Sequence, residues 1–341
     1  MSTPSATQAE PRPLPHGRRM VAVAVLVPLL AALALWAFAW PAARTAPRDL
    51  PLGVAGPAAA TAQMEKQLAQ HEGAFEIHRY ADEAAARDAV EDRTVYGAVV
   101  VTPQGTELLT ASAASPFVAQ LLQQTVAEQA AASGAQVRTV DVVAAPEADP
   151  RGSALNASVL PLALAGIAAG AAVTLLGLRG LRAVGALVGA AALVGVVAAA
   201  LAHSWLGVLA GDWWAEAGSF ALSTLAVGAT VAGLAALLGQ AGVGVAAGVV
   251  MLFGNPFSGA ATAPQMLPEP FGTIGQWLPP GAGTSLLRSV SFFDGAAATG
   301  PALTLAWWAA LGLGAVLLGS ALTARTKRAE PAPEREPVAV G

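Results

Sequence analysis

The sequence contains no cysteine and little charge. Without a thiol among its 341 residues, disulfides, Cys-based zinc sites, iron–sulfur clusters and a lipidated N-terminal cysteine are all excluded. Asp, Glu, Lys and Arg make up only 12% of the chain, where soluble chains carry about 25%. Lysine is nearly missing, with Lys66 and Lys327 alone. The net charge is −4 and no dense basic stripe is present, so nucleic acid is excluded as a partner. What is present is apolar: hydrophobic residues are 55% and the mean hydropathy is +0.57. An ordinary soluble enzyme and a disordered tail protein are both ruled out, and the lipid bilayer becomes the first expected partner. The excess of Ala, Gly, Pro and Arg is that of a GC-rich bacterial genome, which makes the expected membrane the bacterial plasma membrane.

Crossing a bilayer takes about 20 apolar residues of helix. Six stretches qualify, near 20–40, 155–178, 183–202, 218–238, 239–260 and 301–323, and none contains Asp, Glu, Lys or Arg. The fold class expected is therefore an α-helical polytopic membrane protein with six transmembrane helices. The fourth and fifth stretches meet at Gly239-Gln240-Ala241-Gly242, a hairpin turn. The first could instead be a cleaved signal peptide, but its apolar run is longer than the roughly 7–15 residues of a signal core. Residues 1–19, rich in Pro and Ser, are expected to be a disordered cytoplasmic arm.

Orientation follows from basic residues beside the spans. Arg18 and Arg19, Arg179 and Arg182, and Arg325, Lys327 and Arg328 all fall on one side of a six-span chain. That side is expected to be the cytoplasm, with both termini and a tail at 324–341 there. All eight tryptophans then lie near or beyond the opposite boundary, as expected of a ring that is apolar with one N–H that wants water.

Residues 41–154 hold 8 basic and 14 acidic residues, more than half of all charges. They are expected to form a compact extracytoplasmic α/β domain between the first and second spans. The pattern gives a strand at 51–56, a helix at 57–72, a strand at 74–80, and a helix at 83–92 capped by Asp82. A doubly buried strand at 96–101, a partner strand at 106–112, a helix from Pro116 to Ser133 and a last strand at 137–143 follow. The helix from Pro116 is expected to bury Phe117, Leu121, Leu122, Thr125 and Val126 on one face.

Residues 155–323 form the expected five-helix membrane domain. Its least regular part, 254–300, is too broken by proline to span and too apolar for a free loop. Its segments 271–278 and 284–293 suit a re-entrant or interfacial element at the outer face. Pro268, Phe271, Trp277, Pro279, Pro280 and Arg288 mark that element, with Phe257, Phe292 and Phe293 as further anchors. Three pairs of glycines at four-residue spacing, Gly166/Gly170, Gly185/Gly189 and Gly244/Gly248, favour close helix packing or a homodimer. No catalytic, cofactor-binding or metal-binding motif is found. His71 and His78 lack a third ligand, and Asn156-Ala157-Ser158 is a glycosylation sequon only by chance. The spans lack ionisable groups, which argues against proton-coupled transport and intramembrane proteolysis.

The order of these pieces resembles the ABC-2 type exporter permeases, in the branch of the phage-infection-protein-like membrane proteins. Three segments carry the likeness: Asp82 to Val90 followed by Tyr96 to Pro103; Leu108 to Ala113 with the helix after it; and Gln265 to Pro280, ending at Leu287-Arg288. The resemblance implies a dimeric permease, itself not an enzyme and without cofactors, that works with a separate ATP-binding cassette ATPase to export a hydrophobic or amphipathic substrate. Arg179 and Arg182 are then the candidate ATPase-contact loop. Their connection is shorter than the coupling helix such exporters carry, which leaves a second reading open: a non-transporting envelope receptor or scaffold. A third, a lipid enzyme, has only Asp212, Glu216, Glu269 and Asp294 as candidate acids.

Overall fold

The structure, a computed structural model, describes residues 16–329 except Ala69, His71, Gln104 and Ala135. Most of the expected N-terminal arm, most of the C-terminal tail and the His71 half of the His71/His78 pair therefore lie outside the described residues. Among the described residues, five helices are long and apolar enough to cross a membrane. They are α1 (His16–Ala43), α5 (Ser153–Leu175), α6 (Gly180–Ala199, continued by wider π turns to Trp205), α7 (Trp213–Leu238) and α11 (Thr299–Ala329).

Between α1 and α5 the chain forms an α/β unit in the order β-α-β-α-β-β-α-β. Its elements are β1 (Leu50–Ala55), α2 (Ala58–Leu68), β2 (Phe75–Tyr80), α3 (Glu83–Glu91), β3 (Gly97–Thr102), β4 (Gly105–Thr110), α4 (Pro116–Ser133) and β5 (Val137–Asp141). The sheet order is β2-β1-β3-β4-β5, parallel except for the β3–β4 hairpin. As expected of a continuous apolar run, β3 lies at the centre. Val99 packs with Leu108, Leu52 and Val54 on the face covered by α2 and α4. Ala98 and Val100 pack with Leu109 and α3 on the other. Burying each such Val or Leu contributes about 1.5–3 kcal/mol.

Local chemistry sets the helix ends. Asp82 accepts the Ala85 N–H at 2.9 Å and starts α3. Ser115 accepts the Val118 N–H at 3.2 Å, Pro116 takes the first turn of α4, and Gly134 ends it at φ 69°. The buried face of α4 matches the expected one in part. Leu122 and Val126 are buried as expected, together with Val118, while Leu121 and Thr125 are half-buried and Phe117 is 42% exposed. The rows four apart that start at Phe117 and Val118 lie side by side, and contact with the sheet selects the second. At the exit of the unit, the buried Asp149 carboxylate accepts from the Ser153 and Ala154 N–H groups, each at 2.8 Å, and so caps α5.

α7 is the hub of the membrane part. Gly166 and Gly170 of α5 bring its backbone onto α7: a Cβ at Gly170 would stand 2.6 Å from Gly228 O. On α11, Gly312 lies against Ala229 and Gly319 against Ala236 of α7. Gly185, Gly189, Gly244 and Gly248 face open space in the protomer, so only one of the three expected glycine pairs builds this bundle.

The fifth expected span, 239–260, is shorter than its sequence suggested. Helix α8 (Gln240–Val249) and the π turns Val250–Gly254 total 15 residues, below the length of a full crossing. The chain then turns at Asn255–Ser258, where Pro256 has no N–H to continue a helical ladder. The rest of 254–300 holds a short 3₁₀ turn (Pro264–Met266), α9 (Phe271–Trp277) and α10 (Pro279–Phe292).

A cleft between the sheet and the proline-rich segment

The proline-rich segment packs against both the bundle and the α/β unit. Ala263 and Met266 enter the core under one face of the sheet, and Phe293 enters the core under the other. The linker from α1 is tied to the same segment: Ala46 N donates to Met266 O at 3.1 Å and Arg48 N to Gln265 O at 2.9 Å. Residues outside 41–154 thus complete the core of the α/β unit.

Aromatic rings hold the end of α1. Trp36 and Trp40 stack at 5.6 Å, and Trp40 meets the edge of Phe271 at 5.3 Å. Phe271 in turn stacks on Phe257 at 4.7 Å. Phe257 is buried, not an exposed anchor. Trp277 is 67% exposed, and its carbonyl accepts the Trp308 indole N–H at 2.7 Å. Pro268 is buried beneath α9, and its carbonyl accepts from Phe271 N at 2.9 Å. Pro279 and Pro280 form the first turn of α10 and face α5 and α7, away from these rings.

Arg288 departs most from its expected place. It is 6% exposed, on the inner side of α10 rather than at a headgroup surface. It lines a cleft of about 510 Å³ together with Arg48, Arg93, Tyr96, Gln265 and Gln276. Arg288 donates from Nη2 to Ala260 O at 2.5 Å. Arg93 donates from Nη1 to Ser285 O at 3.0 Å and to Ser289 Oγ at 2.5 Å, and its guanidinium lies 5.2 Å from the Phe293 ring centre. Tyr96 donates to Gln265 Oε1 at 2.9 Å. Ser285 Oγ donates to Gln276 Oε1 at 2.6 Å.

Among the described residues, neither Arg93 nor Arg288 has a carboxylate partner. Burial pulls the Arg93 guanidinium below its usual value. Burial pushes the Tyr96 hydroxyl up, and the nearby Arg93 and Arg288 offset part of that rise. Two carboxylates border the cleft, Asp49 and Glu269, both exposed. The remaining candidate acids stand apart. Asp212 caps α7 through Ala215 N at 2.8 Å, Glu216 is buried against His203 Nδ1 at 2.9 Å, and Asp294 is exposed.

Of the residues lining this cleft, Arg288, Trp277 and the candidate acid Glu269 were singled out from sequence. The available signal was that Arg288 is the one charged residue between Glu269 and Asp294. Arg93, 195 positions earlier, carried no such mark. At the far end of the bundle, Arg179, in the four-residue link from α5 to α6, and Arg182, in the first turn of α6, are exposed. Arg179 edges a second hollow of about 410 Å³ between α5, α7 and α11. There Ser320 Oγ accepts the Gly180 N–H at 2.8 Å.

Residues 18–177, which run from α1 through the α/β unit to the end of α5, match the model of a family described as ABC-2 family transporter protein. The match supports the resemblance to ABC-2 permeases and the assignment as a multi-pass membrane protein with a role in transport. No curated protein and no solved structure matches the chain.

Proposed function

We propose, from the match of residues 18–177 to the ABC-2 transporter family, that this chain is the membrane subunit of an ABC-2 type exporter. It works with a separate ATP-binding cassette ATPase, forms a homodimer and moves a hydrophobic or amphipathic substrate outward. The phage-infection-protein-like branch is the one its segment order resembles. The carrying observation is the family match, set beside five helices among the described residues that are long and apolar enough to cross a membrane.

In this reading the 15-residue α8 segment makes a sixth, thin crossing, so that both termini lie in the cytoplasm. The α/β unit and the segment 254–300 lie outside. Support comes from the two ends of the bundle: Trp36, Trp40, Trp205, Trp213, Trp214, Trp277, Trp307 and Trp308 all lie toward the sheet, and Arg179, Arg182 and Arg325 lie at the opposite ends of their helices. Arg179 and Arg182 are the ATPase-contact residues proposed, and the hollow edged by Arg179 gives a partner side chain room to enter.

Purification of the chain in mild detergent from its native membrane should bring an ATP-binding subunit with it. Arg179→Gln with Arg182→Gln should reduce ATP-dependent efflux at least several-fold without changing membrane orientation. Recovery of the chain without an ATPase, together with no ATP-dependent efflux, removes the reading.

One observation favours the second reading, a non-transporting envelope receptor or scaffold. Only Leu176 to Arg179 separates α5 from α6, and no coupling helix lies between them. That reading requires the double substitution to leave every cellular function of the chain intact.

A further inference from the structure

The cleft between the α/β unit and α10 has a polarity that nothing in the fold requires. Its inner wall carries two guanidiniums, Arg93 and Arg288, on elements almost two hundred positions apart. Each guanidinium has five N–H donors. Arg288 uses Nη2 alone, on a single backbone carbonyl, and Arg93 uses Nη1 alone. Among the described residues, the remaining donors have no protein acceptor and no carboxylate neutralises either charge. Burying a cation without a counter-charge is unfavourable. A folding role would be filled as well by a neutral side chain.

Arg93 adds an independent sign. It follows the last turn of α3 at φ 60°, the left-handed position at which helices usually place glycine. Holding any side chain with a Cβ there is strained. The backbone would be better served by glycine, so the guanidinium is the part that accounts for the residue. Gln265, Gln276 and Tyr96 supply further polar groups on the same cleft. Asp49 and Glu269 border it but are exposed, so water screens them, whereas the buried Arg288 charge is screened far less.

We propose that this cleft binds the phosphate group of an amphipathic ligand, held by Arg93 and Arg288. Guanidinium forks match phosphate oxygens in charge and geometry. The cleft, about 510 Å³, has room for a lipid headgroup. The exposed Trp277 borders it, and its carbonyl is tied to the Trp308 indole within the apolar helix α11. Acyl chains would lie along the apolar helices while the headgroup enters the cleft. A phosphorylated solute or inorganic phosphate shares the same chemistry. The proposal deepens the export reading by giving its substrate class, but binding to the purified chain needs no ATPase, so the two can fail separately.

The test is equilibrium binding to the full chain in nonionic detergent, by calorimetry, with three probes: a short-chain phosphatidylglycerol, a short-chain diacylglycerol of the same acyl length, and inorganic phosphate. The expected result is saturable binding of phosphatidylglycerol over diacylglycerol, weakened about tenfold by Arg93→Gln and less by Arg93→Lys. Inorganic phosphate binding as tightly, with the same dependence on Arg93, supports the phosphate site and makes the source a solute. Arg288 is buried, so Arg288→Gln is judged only if it keeps the wild-type melting temperature; Arg93→Gln carries the decision otherwise. Absence of binding by both phosphate-bearing probes, or equal affinity of a folded Arg93→Gln protein, overturns the proposal. Efflux measured in parallel reads on transport alone.

Discussion

Glu216 sits in the first turn of α7 with no exposed surface. Its two oxygens accept from Gly211 N at 2.9 Å and meet His203 Nδ1 at 2.9 Å. The pair joins the end of α6 to the start of α7 across the connecting loop. Glu216→Ala removes both contacts and leaves the Gly211 N–H without its acceptor, a loss of about 1–3 kcal/mol. It is expected to lower the melting temperature of the detergent-solubilised protein by several degrees. Glu216→Gln, which keeps an acceptor for Gly211, should lose less. At this scale the sequence was partly legible. Asp82 and Pro116 announced helix starts, because a cap and its N–H lie within three residues of each other and proline suits a first turn; Asp212, which caps α7, carried no such reading. The burial of Arg288 and the position of Arg93 beside it were not legible, because their neighbours come from distant parts of the chain.

Among the elements, the glycine pairs divide by what they touch. Gly170 meets α7 backbone and Val231, with a Cβ there 2.7 Å from Val231 Cβ, whereas nothing stands within 4 Å of Gly189. Gly170→Ala should therefore destabilise the bundle by roughly 1–3 kcal/mol through overpacking, and Gly189→Ala should leave its melting temperature unchanged. If the homodimer uses the open face of α6, Gly189→Ala will shift the monomer–dimer equilibrium measured by analytical ultracentrifugation, and Gly170→Ala will not do so selectively. Spacing alone could not separate these pairs, since all three have the same four-residue interval. The same limit explains α4. Periodicity located the helix from Pro116 to Ser133, but the sheet decided that Val118 rather than Phe117 turns inward.

For the whole molecule, orientation is the decisive question, and the lack of cysteine makes it unusually easy to ask. Every introduced cysteine is the only thiol in the chain. Glu128→Cys, on the exposed side of α4, and Arg325→Cys, near the end of α11, lie toward opposite ends of the bundle. In intact cells a membrane-impermeant maleimide should label Glu128→Cys and spare Arg325→Cys, and lysis should make both reactive. The reverse pattern would invert the proposed topology. Removal of α1 should loosen the proline-rich segment, because Trp36 and Trp40 close the ring cluster around Phe271 and Phe257. Limited proteolysis of a Trp36→Ala, Trp40→Ala protein should therefore cut within 254–300 sooner than in the wild type.

By itself the sequence determined which parts of this protein are apolar and long enough for a membrane, where the α/β unit begins, and the order of its eight elements. Those properties depend on residues near one another: a hydrophobic run, a strand alternation, a cap three positions from its donor. The tertiary structure alone decided that the proline-rich segment enters both cores of the α/β unit, that α8 stops at 15 residues with its π turns, and that Arg93 and Arg288 share a cleft. Each of these depends on contacts between residues far apart in the chain, where an arginine in a loop and an arginine in an apolar helix give no local sign that they meet.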